Sequence, residues 1–183
     1  MRIRTVCIVN ALFLLSGFCF GQGTPVPALT NPFGNDISLS YMLVEKNRSF
    51  NLGNGGDITA THYLTRHIGI IAETEAMTVS RWQIHEYAVR AGASYRFNDG
   101  ADIQPFVRAS AGFSKVNASY HANRPIHDFG GSLMLGAGTD VRIKGQLFAR
   151  FTADVVDNWD ASTRFGRGTA GFAFHFGDRG RNR

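Results

Sequence analysis

The side chains with the most chemical potential in this sequence are charged residues placed at alternate positions within runs of small or apolar ones. Glu73, Glu75, Arg90, Arg96, Arg108, Asp140, Arg142, Arg150, Asp154 and Arg167 all recur in this way. Carboxylates and guanidinium groups so arranged could relay protons or line an ion path. Because both signs occur on what reads as one face, the plainer chemistry is mutual neutralisation of groups removed from water.

The six histidines (His62, His67, His85, His121, His127 and His175) are spread over several segments. His121 and His127 share a stretch with Arg124 and Asp128, but a spacing of six in a loop is weak for a metal site, so solvated side chains are expected and no metal. For rim catalysis the nearest group is His85-Glu86 with Ser80 or Ser119, and no His-x-Ser pair occurs. No enzyme and no cofactor are expected. Gly53-Asn54-Gly55-Gly56 lacks the Lys and the following helix of a phosphate loop and reads as a surface loop. Asn47-Arg48-Ser49 and Asn117-Ala118-Ser119 match a glycosylation sequon that is common by chance.

The elements that must position these residues follow from a period of two, the signature of a β-strand. In Glu86–Val116, Tyr87, Val89, Ala91, Ala93, Tyr95 and Phe97 share one face, and Ala88, Arg90, Gly92, Ser94 and Arg96 the other. After the Asn98-Asp99-Gly100 turn signal, Val107, Ala109, Ala111 and Phe113 alternate with Arg108, Ser110, Gly112 and Ser114. That pattern predicts a hairpin. The same alternation runs from Asn35 to Val44, over Asp57–Leu64, Ile68–Thr78, Phe129–Ile143, Leu147–Val156 and Gly166–Phe176. About eight strands result, joined in turn by long loops (Asn47–Gly56, Val79–His85, Asn117–His127, Asp157–Phe165) and tight turns such as Thr65-Arg66-His67 and Lys144-Gly145-Gln146. An all-β chain must hide its sheet edges, and closure does so fully, so an eight-stranded antiparallel up-and-down barrel is predicted over 35–176.

Which face looks outward is decided by chemistry. The charged face uses Arg and acids, while Lys46, Lys115 and Lys144 fall at strand ends or turns; a water-facing surface would use Lys freely. The other face is almost free of charge, as hydrocarbon demands, since an Arg or Lys facing lipid at the midplane costs roughly 2–4 kcal/mol. Tyr63, Tyr95, Phe97, Phe174 and Phe176 at the turn end, and Phe129 and Trp159 at the loop end, are expected to form interface girdles. These features predict a transmembrane barrel with a luminal charge network made of the ten residues above, in an interior just wide enough to be filled by side chains.

The ends of the sequence fit this picture. Arg2 and Arg4 precede an apolar run over Val6–Phe20, too short to span a bilayer, with Cys19-Phe20-Gly21 as a cleavage site: a secretory signal over 1–21. Residues 22–34 read as an extended lead-in. Cys7 and Cys19 both lie inside the signal, so a disulfide or thiol-based metal site is not expected in the mature chain. The formal charge of +5 falls to +3 without Arg2 and Arg4, which argues against nucleic acid as a partner.

The runs SYRF, IQPFVRASAGFS, GGSLMLGAGTDVRI with its KGQ turn, and the final strand ending FAFHF together resemble a known group. This group is the bacterial outer-membrane β-barrel domains like the eight-stranded membrane domain of outer membrane protein A. The resemblance covers roughly Asn35–Phe176. It implies a place in the outer membrane of a Gram-negative bacterium, with lipid and lipopolysaccharide around the barrel. It also implies that Phe172, Phe174 and Phe176 form the C-terminal signal read by the barrel assembly machinery, although here 177–183 follow as a short basic tail that would lie in the periplasm. The expected function is structural or adhesive, through loops that could meet an extracellular ligand. A secreted lipocalin-like ligand-binding barrel is the alternative, followed by a lipid-modifying outer-membrane enzyme.

Overall fold

A computed structural model describes residues 34–46, 51–79, 84–98, 101–118, 126–159 and 163–176. The expected signal, nearly all of the lead-in, and the tail lie outside the described residues. Eight strands follow one another: β1 (Asn35–Lys46), β2 (Asn51–Tyr63), β3 (Ile68–Val79), β4 (Ile84–Arg96), β5 (Ile103–Ala118), β6 (Ile126–Lys144), β7 (Leu147–Asn158) and β8 (Thr163–Phe176). Each pairs antiparallel with its neighbours in sequence, and β1 pairs with β8 from Asn35↔Phe176 to Lys46↔Phe165, closing the barrel. Closure leaves no strand edge unpaired, which is what allows a sheet to stand in hydrocarbon.

The turn end is built from short connections. Thr65 Oγ1 accepts hydrogen bonds from the backbone N–H groups of His67 (3.2 Å) and Ile68 (2.9 Å), fixing the β2–β3 turn. Gly145 adopts φ 55 in the two-residue turn between β6 and β7, beside a register shift between Arg142 and Lys144.

At the opposite end the strands run further than the sequence pattern predicts. Gly53-Asn54-Gly55-Gly56 is not a loop but part of β2, paired with Val44 to Tyr41 on β1. Gly55 faces inward between Met42 and Met77, and a Cβ there would collide with the backbone of β3 at Ala76 and Met77. Glycine at this point is a packing requirement that looks like a loop signal in the sequence. Likewise Ile84 and His85 belong to β4, Asn117 and Ala118 to β5, Asp157 and Asn158 to β7, and Thr163 to Phe165 to β8. The cores of the four expected loops, 47–50, 80–83, 119–125 and 160–162, lie outside the described residues.

The barrel has its polar side inside. Leu39, Tyr41, Leu43, Val89, Phe113, Leu135, Phe151, Val155 and Phe172 are exposed on the outer wall. Among the described strand residues that face outward, the charged ones are Glu45, Lys115, Lys144, Asp157 and Arg164, all within three residues of a strand terminus. Aromatic pairs mark both rims: Phe113 stacks on Phe129 (5.6 Å) at one, and Tyr95 meets Phe97 edge-on (5.2 Å) at the other. Tyr63 is a correction to the expected girdle. It is buried and points into the lumen, where its hydroxyl donates to Asp36 Oδ2 at 2.9 Å, because it shares parity with Asp57, Thr59 and Thr61.

Candidate functional site

The lumen contains three layers. Nearest the turns, Asp36 (β1), Arg96 (β4), Asp140 (β6) and Arg150 (β7) form a closed quartet. Arg150 grips Asp140 through Nε–Oδ1 (2.7 Å) and Nη2–Oδ2 (2.8 Å), reaches Asp36 Oδ2 at 3.2 Å, and donates from Nη1 to Ser38 Oγ at 3.1 Å. Arg96 Nη2 lies between the two acids, 3.1 Å from Asp36 Oδ2 and 3.3 Å from Asp140 Oδ2. The two guanidinium groups also lie over aromatic faces, Arg96 over Tyr63 at 4.5 Å and Arg150 over Phe106 at 5.1 Å. These π faces favour weakly hydrated guanidinium over ammonium.

His175 (β8) stacks on Phe148 at 4.0 Å and brings Nε2 to 3.4 Å from Asp140 Oδ2 and 3.7 Å from Asp36 Oδ2. Asp36, Asp140 and His175 thus gather three potential metal ligands within 4.8 Å. They are a poor metal site, because Arg96 Nη2 already supplies the positive charge between the two carboxylates and the quartet is neutral.

The middle layer is denser. Arg90 (β4) donates from Nε to Glu73 Oε1 (2.6 Å) and from Nη1 to Ser132 Oγ (2.8 Å), and also pairs with Glu75. Arg108 (β5) holds Asp154 (β7) through both oxygens at 3.0 and 2.8 Å. Arg167 (β8) joins Asp154 (2.9 Å), Glu73 (3.4 Å) and Glu75. Ser110 and Thr152 add hydroxyl bonds to Glu73 (3.2 Å) and Asp154 (3.0 Å). Gly136 is required beside Asp154, whose carboxyl group occupies the space a Cβ would fill. Such multiple pairing offsets the several kcal/mol that each ion loses on leaving water.

Above this layer lies an apolar cap of Met42, Val44, Met77, Met134, Val156 and Phe165, all buried. Asn158 donates to Glu86 Oε1 at 2.6 Å, and both residues are likewise buried.

Of the ten residues expected in a luminal network, the structure brings nine together: Glu73, Glu75, Arg90, Arg96, Arg108, Asp140, Arg150, Asp154 and Arg167. Arg142 is the exception and is a correction. Its parity is inward, but it sits past the mouth at the register shift, more than a third exposed, against Asp102 (3.3 Å) and over Phe148 (5.3 Å). The residues missed are Asp36, Asp57, Glu86 and His175. Asp36 stood two positions before Ser38 on the same face, and Asp57 two before Thr59, so strict parity would have found them.

The remaining histidines do not converge. His62 meets Asn35 Oδ1 at 2.7 Å, His67 meets the Arg96 carbonyl at 2.8 Å, and His85 meets Thr78 Oγ1 at 3.1 Å. The side chains of His121 and His127 lie outside the described residues. For the rim-enzyme alternative, Glu86 is buried inside while His85, its neighbour, falls on the other face of β4; Ser80 and Ser119 are outside the described residues. The lipocalin-like alternative needs an apolar interior and an uncharged cavity. The charged lumen and apolar outer wall overturn it.

A closed eight-stranded barrel, charged within and apolar without, defines the class: an integral β-barrel of the bacterial outer-membrane type. No family model matches the sequence, and no curated protein matches it. Solved structures share the fold. Neisserial surface protein A aligns with a TM-score of 0.63 at 14% identity, covering 78% of this chain and 97% of that one. The N-terminal barrel domain of Pseudomonas aeruginosa OprF gives 0.58 at 19% identity, with 78% and 98% covered. The attachment invasion locus protein Ail of Yersinia pestis gives 0.57 at 18%, with 78% and 99% covered. At these identities the likeness is one of architecture, and the apolar exterior is what a barrel standing in a membrane requires.

Proposed function

We propose that this barrel is a structural or adhesive surface protein that presents the segments at the end away from its turns to the outside of the cell. The observation that supports this reading is the filled lumen. Two ion-pair layers and an apolar cap occupy the interior, so a partner is met at the loop end or along the wall. The segments 47–50, 80–83, 119–125 and 160–162 carry Arg48, Arg81 and Arg124 against Asp160 as their sole acid, a balance that favours an anionic partner. Ail of Yersinia pestis has been solved with the heparin analogue sucrose octasulfate.

In this reading residues 1–21 are the export signal, 22–34 the lead-in, 35–176 the barrel and 177–183 a periplasmic tail. Phe172 and Phe174, exposed on β8, and Phe176, which stacks on Phe174 at 6.4 Å, serve as the signal for the barrel assembly machinery. The luminal network fixes strand register, and the apolar wall meets lipid and lipopolysaccharide. The test is retention of producing cells on a surface coated with sulfated polysaccharide. Retention should rise several-fold over non-producing cells and vanish when Arg48, Arg81 and Arg124 are all changed to Ser. Retention equal to that of non-producing cells sinks the adhesive reading.

A further inference from the structure

The two charged layers differ in their charge balance. In the quartet, two guanidinium groups face two carboxylates. In the middle layer, Arg90, Arg108 and Arg167 face Asp57, Glu73, Glu75 and Asp154, all of them buried. Among the described residues this layer carries one negative charge in excess.

The excess is localised by the hydrogen bonding. Ser40 on β1 is the register partner of Asp57 on β2, and Asp57 is the partner of Glu75 on β3. All three face the lumen, and each has a buried oxygen without a hydrogen-bond partner: Ser40 Oγ, Asp57 Oδ1 and Glu75 Oε1. Their other polar contacts point elsewhere, Asp57 Oδ2 to Thr59 Oγ1 at 3.2 Å and Glu75 Oε2 to Arg90 and Arg167. Ser94 Oγ, Gln104 Oε1, Thr139 Oγ1 and Asn158 Oδ1 also lack partners, but none of these is the register partner of another such oxygen.

Like charges directly opposite one another in a sheet repel, with Cβ atoms only about 5 Å apart. Inside a barrel the wall is concave, so side chains from neighbouring strands converge. Gly171, the partner of Ser40 on β8, carries no side chain into this region, and a Cβ there would clash with the β1 backbone at Leu39 and Ser40, so β8 lies directly against the serine.

We propose that Ser40, Asp57 and Glu75 form a binding site for one small monovalent cation of the sodium type. Carboxylate and hydroxyl oxygens are the ligands that hard cations take. One unit of positive charge neutralises the layer, whereas a divalent ion would leave it as unbalanced as before. The quartet below has no such need, because Arg96 already stands between its acids. The cation is therefore a component of the folded lumen and stabilises the barrel by binding the native state alone.

The test uses the mature chain folded in detergent micelles. Heat unfolding is followed by β-sheet circular dichroism in sodium chloride and in choline chloride, whose cation is too large to enter, both at about 0.15 M. The midpoint in sodium should exceed that in choline by about 3 °C or more. Asp57→Asn keeps the shape, removes the excess charge and should erase the difference; Glu75→Gln is the second variant if the first does not fold, and Ser40→Ala should shrink it. Equal midpoints for the unaltered chain in the two salts overturn the site, and a midpoint that follows pH but ignores the cation identifies a shared proton in its place. A sodium effect that survives both Asp57→Asn and Glu75→Gln also overturns it.

Discussion

The quartet near the turns and the layer above it solve the same problem with different arithmetic. Asp36, Asp140, Arg96 and Arg150 close on one another with equal charge and with aromatic faces beneath both guanidinium groups. The middle layer gathers more ions but has one more acid than base. Geometry alone therefore does not describe a buried network, because each added charge must be counted as well as placed.

The difference is sharpest when one acid is neutralised in each layer. Asp140→Asn leaves two buried guanidinium groups against a single carboxylate, and unfolding in urea from lipid vesicles should show a loss of about 3–5 kcal/mol. Next in size is the apolar cap. Met134→Ala opens a cavity beside Arg167, and the same unfolding measurement should register about 2–4 kcal/mol. Asp57→Asn removes the excess acid, and in choline chloride its stability should stay within about 1 kcal/mol of the parent chain or exceed it. A cost for Asp57→Asn equal to that for Asp140→Asn would break the distinction between the layers. Smallest of all, Arg164→Ala removes an exposed pair with Asp157, 2.7 Å apart across β7 and β8, and should leave the unfolding midpoint unchanged.

Most of the fold was legible in the sequence because a period of two assigns every residue of a strand to one face. Where Arg90 and Arg96 fall, Val89 and Tyr95 must fall opposite. The end of a strand is not encoded that way. Gly55 reads as a loop residue, yet it lies in β2 because Met42 and Met77 come together across it. Arg142 has the right parity and the wrong height, since parity does not say where the mouth of the barrel is. Tyr63 read as a girdle residue because an aromatic ring near a strand end suits an interface; its hydroxyl and the Arg96 cation draw it inside. Three members of the quartet were visible, since Arg96, Asp140 and Arg150 stood out, whereas Asp36 sat at the edge of its strand, and His175 beside them looked like one scattered histidine among six. Which acid meets which base depends on closure of β1 against β8, a contact between the two ends of the chain that no local pattern contains.

The central claim is that lipid surrounds the apolar face and the charged face is sealed from both lipid and bulk water. Nitroxide labels attached at Val89→Cys, Leu135→Cys and Phe172→Cys, in a mature chain reconstituted into lipid vesicles, test it most directly. Collision with dissolved oxygen should be frequent at all three sites and collision with a water-soluble nickel chelate rare, the signature of hydrocarbon contact. Frequent collision with the nickel chelate, or none with either reagent, would place those residues in water or in a packed core and contradict the account.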